Sequence, residues 1–340
     1  MKLIRTEDAV GCVLCHDMTR IVRGVTKGPA FRKGHIVREE DIPLLLSMGK
    51  ENLYVWEPEP GMLHENDAAE RLYALCAGPH MEPSEVKEGK IEVLAAADGL
   101  LLVDIPRLKA VNALGELMIA TRHSHTPVKK GDKLAGTRII PLVIREEKLK
   151  AAEAAAGEKS LLELRPFRPR KVGIVTTGSE VQKGLIQDTF TPVLIDKAGE
   201  YGCPVMGQIC PGDDPAAITA AILDLRDRGA ELILCSGGMS VDPDDRTPLG
   251  IRNTGARVVG YGSPVLPGAM LMVAYLGDVP VLGLPGCVMY ARRTVFDLVL
   301  PLLLADVPVT AEDLAAMGHG GLCLECPVCT FPNCAFGKGW

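Results

Sequence analysis

The sequence predicts an α/β protein, a doubly wound and mostly parallel sheet preceded by a β-rich mixed N-terminal region. Three observations carry this reading. In the C-terminal half, short aliphatic runs alternate with amphipathic segments of helix length, as in βαβ units whose sheet is covered on both faces. The runs KVGIVTTG, ELILCSGG and VPVLGLPG each end in glycine. The first 150 residues break instead into short β-like runs separated by turns.

Residues 1–150 hold VGCVLCHDM, ENLYVW, IEVLAAADGLLLVDI, ELMIAT and RIIPLVI as strand candidates, with a helix over 67–76 and room for two lobes. Residues 33–46 and 130–144 both place Lys-Gly before a turn and Ile-Pro-Leu further on. Two turns of common chemistry account for that, with an internal repeat as the alternative. Residues 151–170 continue the helical EEKLKAAEAAAGEK into the proline-broken RPFRPRK, a domain junction.

Residues 171–306 form the sheet domain. A strand at 171–178 is followed by a helix near 190–201. The segment DPAAITAAILDLRDRG is punctuated as a second helix: Asp214 is an N-cap, Pro215 fits the first position and Gly229 the C-terminal cap. Ile218, Ala221, Ile222 and Leu225 form its apolar stripe. From Cys287 onward, VMYARRTVFDLVLPLLL reads as a helix interrupted near Pro301.

The chain has 340 residues, 47% of them apolar but only 4% aromatic, so its cores are aliphatic. A formal charge of −6 argues against nucleic-acid binding, which needs a basic face. The N-terminus shows no signal peptide, and no apolar run reaches the roughly 18–20 residues of a membrane span. The expectation is a cytoplasmic protein with no membrane partner. Its eleven cysteines are then reduced thiols.

Ligands bind open parallel sheets at the carboxyl ends of strands. Three strand ends carry unusual residues: Thr176, Thr177, Gly178, Ser179 and Glu180; SGGMSVDPDD; and Pro285, Gly286 and Cys287. Glycines admit a close ligand, and free N–H groups with hydroxyls hold phosphate. Neither a Walker A nor a GxGxxG pattern is present. Carboxylates beside a phosphate need a bridging cation, and Mg²⁺ is the usual one. Asp245, just before a helix start, is the metal or cap candidate. Asp242 and Asp244 read as solvating the loop.

KVGIVTTGSEV, IQDT, GDDPAAITAAI, LILCSGGMSVDPDD and VLGLPG come in one order. Together they resemble the molybdopterin-binding domain of molybdenum-cofactor biosynthesis proteins, in particular the molybdopterin molybdenumtransferase type (the MoeA and gephyrin E-domain family). KGHIVREEDIPLLLSMGKENLYVWEPE resembles an N-terminal segment of that family more faintly. The resemblance implies binding of molybdopterin or its adenylylated form, insertion of molybdate or tungstate, and release of AMP with Mg²⁺. It also implies a homodimer and a cofactor-accepting enzyme as partner. The matching positions are Thr177, Gly178, Ser179 and Glu180 in the first loop, and Asp188 in IQDT. Ser236, Gly237, Gly238, Ser240 and Asp245 match in the second loop, Pro285 and Gly286 in the third. Asp245 and Asp188 would act catalytically at the metal ion.

Departures bear on the activity. The family's Lys-Pro-Gly-Lys-Pro reads LPGAM here, at 266–270, and its Gly-Leu-Pro-Gly-Asn-Pro reads GLPGCV. Two oxyanion-holding cations are missing. A non-catalytic carrier or sensor of the finished cofactor therefore stands beside the transferase. So does a nucleotide-hydrolysing relative resembling the amidase-associated competence/damage proteins.

Residues 307–340 end in a Cys-rich tail: Cys323-x2-Cys326-x2-Cys329-x4-Cys334. Four thiolates at such spacing can converge on Zn²⁺ or an iron–sulfur cluster, the alternative being a disordered tail with free thiols. The spacing leaves both open, and with them contact between these thiols and the cofactor's metal or dithiolene.

Overall fold

The computed structural model describes residues 2–22, 26–55 and 60–339, and these form two compact units. The first gathers described residues from 1–94, 104–122 and 133–163; the second those from 95–103, 123–132 and 164–340. The end of the ENLYVWEPE segment, residues 56–59, lies outside the described residues.

The first unit is β-rich. Lys2–Arg5 pairs antiparallel with Asn52–Val55, Met18–Val22 with Thr26–Phe31, and Met62–His64 with Val143–Arg145. A four-stranded sheet runs in the order Met81–Pro83, Lys90–Ala95, Lys133–Ile139, Leu117–Thr121. The helices Glu65–Cys76 and Glu146–Ala156 each bury an apolar stripe. The two Lys-Gly segments differ in structure: one leads into the helix Ile42–Ser47, the other into the strand Lys133–Ile139.

The second unit is built on a six-stranded sheet, and its elements are numbered here within the unit. The strands are β1 (Val172–Thr176), β2 (Val205–Ile209), β3 (Leu232–Ser236), β4 (Arg257–Tyr261), β5 (Met272–Leu276) and β6 (Val279–Leu284), in the spatial order 2-1-3-6-5-4. β2, β1, β3 and β6 are parallel, and β5 and β4 close the sheet antiparallel. The helices are α1 (Ser179–Gln182), α2 (Phe190–Gly199), α3 (Pro215–Asp227), α4 (Thr247–Asn253), α5 (Val295–Leu304) and α6 (Ala311–Ala316).

Side chains alternate between two cores, as strand geometry requires. From β3, Leu232 and Leu234 enter the core shared with Leu194 and Ala198 of α2 and Phe296 and Val299 of α5. Ile233 and Cys235 enter the opposite core, with Ile218, Ile222 and Leu225 of α3 and Ile251 of α4. The sheet is doubly wound. Asp214 caps α3 by accepting from Ala217 N–H at 3.0 Å, and the helix stops before Gly229 at φ +94°.

One helix starts later than its sequence suggests. Residues 286–289 make a single 3-10 turn, and α5 begins only after Thr294. Thr294 and Asp297 form a reciprocal capping box, with Thr294 N–H donating to Asp297 Oδ2 at 2.7 Å. Pro301 lies inside α5 without ending it. Arg292 and Arg293 therefore precede the helix. No helix among the described residues is long and apolar enough to cross a membrane.

Candidate functional site

The loops after β1, β3 and β6 meet at the carboxyl edge of the sheet, around two hollows. The smaller, about 230 Å³, is lined by the loops after β1 and β3, with Asp213, Asp244 and Asp245 in its wall. The larger, about 600 Å³, is lined by Met239, Ser240, Pro285, Gly286, Cys287 and Met270, among others. Phe190, Gly237, Gly238 and Asp245 line both. Among the described residues, no lysine or arginine lines either.

The shared wall is set by a buried hydroxyl network. Thr177 N–H donates to Ser236 O at 2.8 Å, locking the first loop to the end of β3. The Thr177 and Thr247 hydroxyls lie 3.0 Å apart, and Thr247 Oγ1 donates to Gly237 O at 2.8 Å. Gly237 and Gly238 have φ of +85° and +55°, and a Cβ on Gly237 would lie 2.6 Å from Thr177 O. Only glycine lets the loop fold back on Thr177 this tightly.

The residues singled out in the sequence divide on this geometry. Thr177, Gly178, Glu180, Gly237, Gly238, Ser240, Asp245, Pro285 and Gly286 all line one hollow or both. Three do not. Ser236 is wholly buried at the end of β3, its Oγ without a hydrogen-bond partner among the described residues. The amide of Ser179 is already held by Asp213 Oδ2 at 2.6 Å. Asp188 is the third. It accepts from the amides of Phe190 and Thr191 at 2.9 and 3.1 Å and from Gln208 Nε2 at 2.6 Å, so it fastens the start of α2. Burial alone would raise its pKa, but the bonds from Thr191, Gln208 and Phe190 outweigh this and hold it below the ordinary carboxylate value.

The four tail thiols do not come together as the spacing suggests. Among the described residues, no three His, Cys, Asp or Glu side chains form a group able to hold a metal. Cys323 and Cys334 are half-buried against the α2–α5 core, whereas Cys326 and Cys329 are exposed. Phe331 and Phe336 pack on that same core. Arg292 and Arg293 do not replace the missing lysines. Arg293 pairs with Glu200 and Asp297, both at 2.8 Å, and Arg292 donates to Pro327 O at 2.8 Å.

Residues 173–305 match the family model described as a probable molybdopterin binding domain. The second unit carries a domain of the molybdopterin-binding family. Residues 3–57 match a domain of unknown function. Among curated proteins, the chain is 42% identical over 77 residues to a CinA-like protein of Mycolicibacterium gilvum (strain PYR-GCK), covering 23% of this chain and 18% of that protein. A CinA-like protein of Mycobacterium avium (strain 104) is 39% identical over the same length. The chain thus spans under a fifth of the length of these relatives. Among solved structures, the molybdopterin biosynthesis enzyme MoaB from Thermus thermophilus is 25% identical, covers 42% of this chain and 97% of its own, and has a TM-score of 0.36. The molybdopterin biosynthesis MoeA protein from Pyrococcus horikosii is 18% identical, covers 72% and 80%, and has a TM-score of 0.34.

Within this molybdopterin-binding domain, sequence reasoning overlooked Thr247, Asp213 and Phe190. Thr247 sits in the Arg-Thr-Pro that follows Asp245, and a hydroxyl before a helix-starting proline was the available signal. Asp213 stands beside the cap Asp214 in GDDP, where one acid had an obvious task and its neighbour had none. Cys287 also faces the larger hollow, and burial pushes its thiol pKa up.

Proposed function

We propose that this protein binds molybdopterin or its adenylylated form in the paired hollows, in the course of molybdenum or tungsten cofactor biosynthesis. The observation that carries this is the Gly237–Gly238 wall common to both hollows, held open by Thr177 and Thr247 with Asp245 at its rim. Close backbone approach there suits a phosphate, and the larger hollow, with Pro285 and Met239, suits the flat pterin. Asp244 and Asp245 fit Mg²⁺, which takes one or two carboxylates together with substrate phosphates. Such an ion would supply the positive charge the lining lacks. Ser240 would donate to the ligand, and Glu180 would hold the mouth of the first loop.

Ala269 and Met270 line the larger hollow where the transferase family has its cationic segment. That favours a carrier over a catalyst of oxyanion insertion. Hydrolysis of a nucleotide-like substrate in the same hollows is the reading that the local identity to CinA-like proteins supports.

The test is anaerobic incubation of the protein with adenylylated molybdopterin and Mg²⁺, with and without molybdate. Retention without AMP release is the expected result. Molybdate-dependent AMP release would establish insertion instead, and molybdate-independent cleavage the hydrolase. Failure to bind either pterin form would end the proposal. Asp245→Asn is expected to weaken Mg²⁺-dependent binding about tenfold, the loss of roughly 1.4 kcal/mol; unchanged affinity would remove Asp245 from the site.

A further inference from the structure

A cavity of about 630 Å³ in the second unit is left unused by the pterin reading. All four tail cysteines line it, with Arg292, Arg293, Phe331 and Tyr290. The thiols are not equivalent. Cys323 and Cys334 pack against the core, while Cys326 and Cys329 face solvent. Between the outer pair, the chain bends at Pro327 and Val328. Cys-x2-Cys is the spacing of dithiol redox motifs, and a disulfide would draw the two Cα atoms to within about 7 Å.

The bend is also tied to the ligand hollow. Pro327, between the two cysteines, accepts through its carbonyl from Arg292 Nη1 at 2.8 Å. Arg293 lies over the Phe331 ring, 5.2 Å from its centroid. These arginines directly continue the segment containing Cys287, Met289 and Tyr290, which line the larger hollow. Tyr290 lines both cavities.

We propose that Cys326 and Cys329 form a dithiol–disulfide exchange site whose state reaches the ligand hollow through Arg292 and the 287–290 segment. The partner is a low-molecular-weight disulfide. One cysteine thiolate attacks a sulfur of that disulfide, forming a mixed disulfide and releasing one thiolate. The second cysteine thiolate then displaces the other half, closing the protein disulfide. Both leaving thiolates are protonated, so the two electrons given up by the cysteines reside in two product thiols. Exposure confines this chemistry to the outer pair, since the inner thiols are packed against the core. The site does not depend on what the hollows bind.

The experiment exposes the reduced full-length protein to oxidised glutathione. Intact mass should fall by two hydrogens with no glutathione retained, and peptide mapping should place the link at Cys326–Cys329. Cys326→Ser and Cys329→Ser should each trap a glutathione adduct instead. Hydrogen exchange over 286–293 should change on oxidation of the wild type and stay unchanged on oxidation of Arg292→Ala. A link between other cysteines, or persistent glutathione adducts in the wild type, would overturn the site. Exchange over 286–293 that ignores oxidation in the wild type would overturn the coupling.

Discussion

Gly237 and Gly286 both border the ligand hollows, yet their backbones ask different things of them. A Cβ at Gly237 would strike Thr177 O in a left-handed conformation, whereas Gly286 has open space around it. Gly237→Ala is therefore expected to destabilise the fold by at least about 2 kcal/mol, read as a lower urea midpoint. Gly286→Ala should leave the midpoint unchanged and lower pterin affinity, because the added methyl projects where no protein atom stands. Equal midpoints for the two variants would contradict this account of the loop. Asp188 makes a different prediction. Its folded pKa is depressed, so its contribution is present above the unfolded carboxylate value and is lost as pH falls through the folded one. The stability gap between wild type and Asp188→Asn should accordingly be full near neutral pH and shrink below about pH 4; a gap that widens on acidification would refute it. Asp214 was legible as a cap because its task is settled within three residues. Asp188 was not, because Gln208, distant in sequence on β2, helps capture its carboxylate.

At the scale of elements, what the sequence made plain was local. The stripe of α3 and the strands β1, β3 and β6 could be read from spacing and punctuation alone. The stretch from Cys287 could not be placed as readily, because its apolar residues fit a helix on either side of Thr294. Thr294 and Asp297 carried the boundary signal at capping-box spacing, and the arginines before them drew the helix too early. Asp297 is more than a cap. It is buried and holds Lys197 Nζ at 2.7 and 2.9 Å, joining α2 to α5. Lys197→Met removes one partner of a buried pair and is expected to cost about 3 kcal/mol, by urea or thermal unfolding. A cost below about 0.5 kcal/mol would mean that Arg293 alone satisfies Asp297.

At the scale of the whole molecule, the β-rich and doubly wound characters were visible in the sequence as a change of pattern. The path of the chain was not. Residues 95–103 and 123–132 belong with the second unit, although their sequence differs little from the strands around them. Pairing partners far apart in the chain decide such membership, and periodicity carries no record of them. The tail shows the same limit in reverse. Its cysteine spacing is regular, but Cys323 and Cys334 pack on the core with Phe331 and Phe336 while Cys326 and Cys329 stay exposed.

The Asp213–Ser179 contact has a consequence for selection in a crowded cell. The amide that would attract a passing anion is already occupied by the protein's own carboxylate, and the surrounding wall is acidic. Such a wall offers little attraction to small anions such as inorganic phosphate and sulfate. On the proposed reading, a ligand would bring its own cation and a flat body to fill the larger hollow before its phosphate gains anything. On that reading the acid at the doorway would work as a filter, making occupancy depend on the whole ligand rather than on its charge.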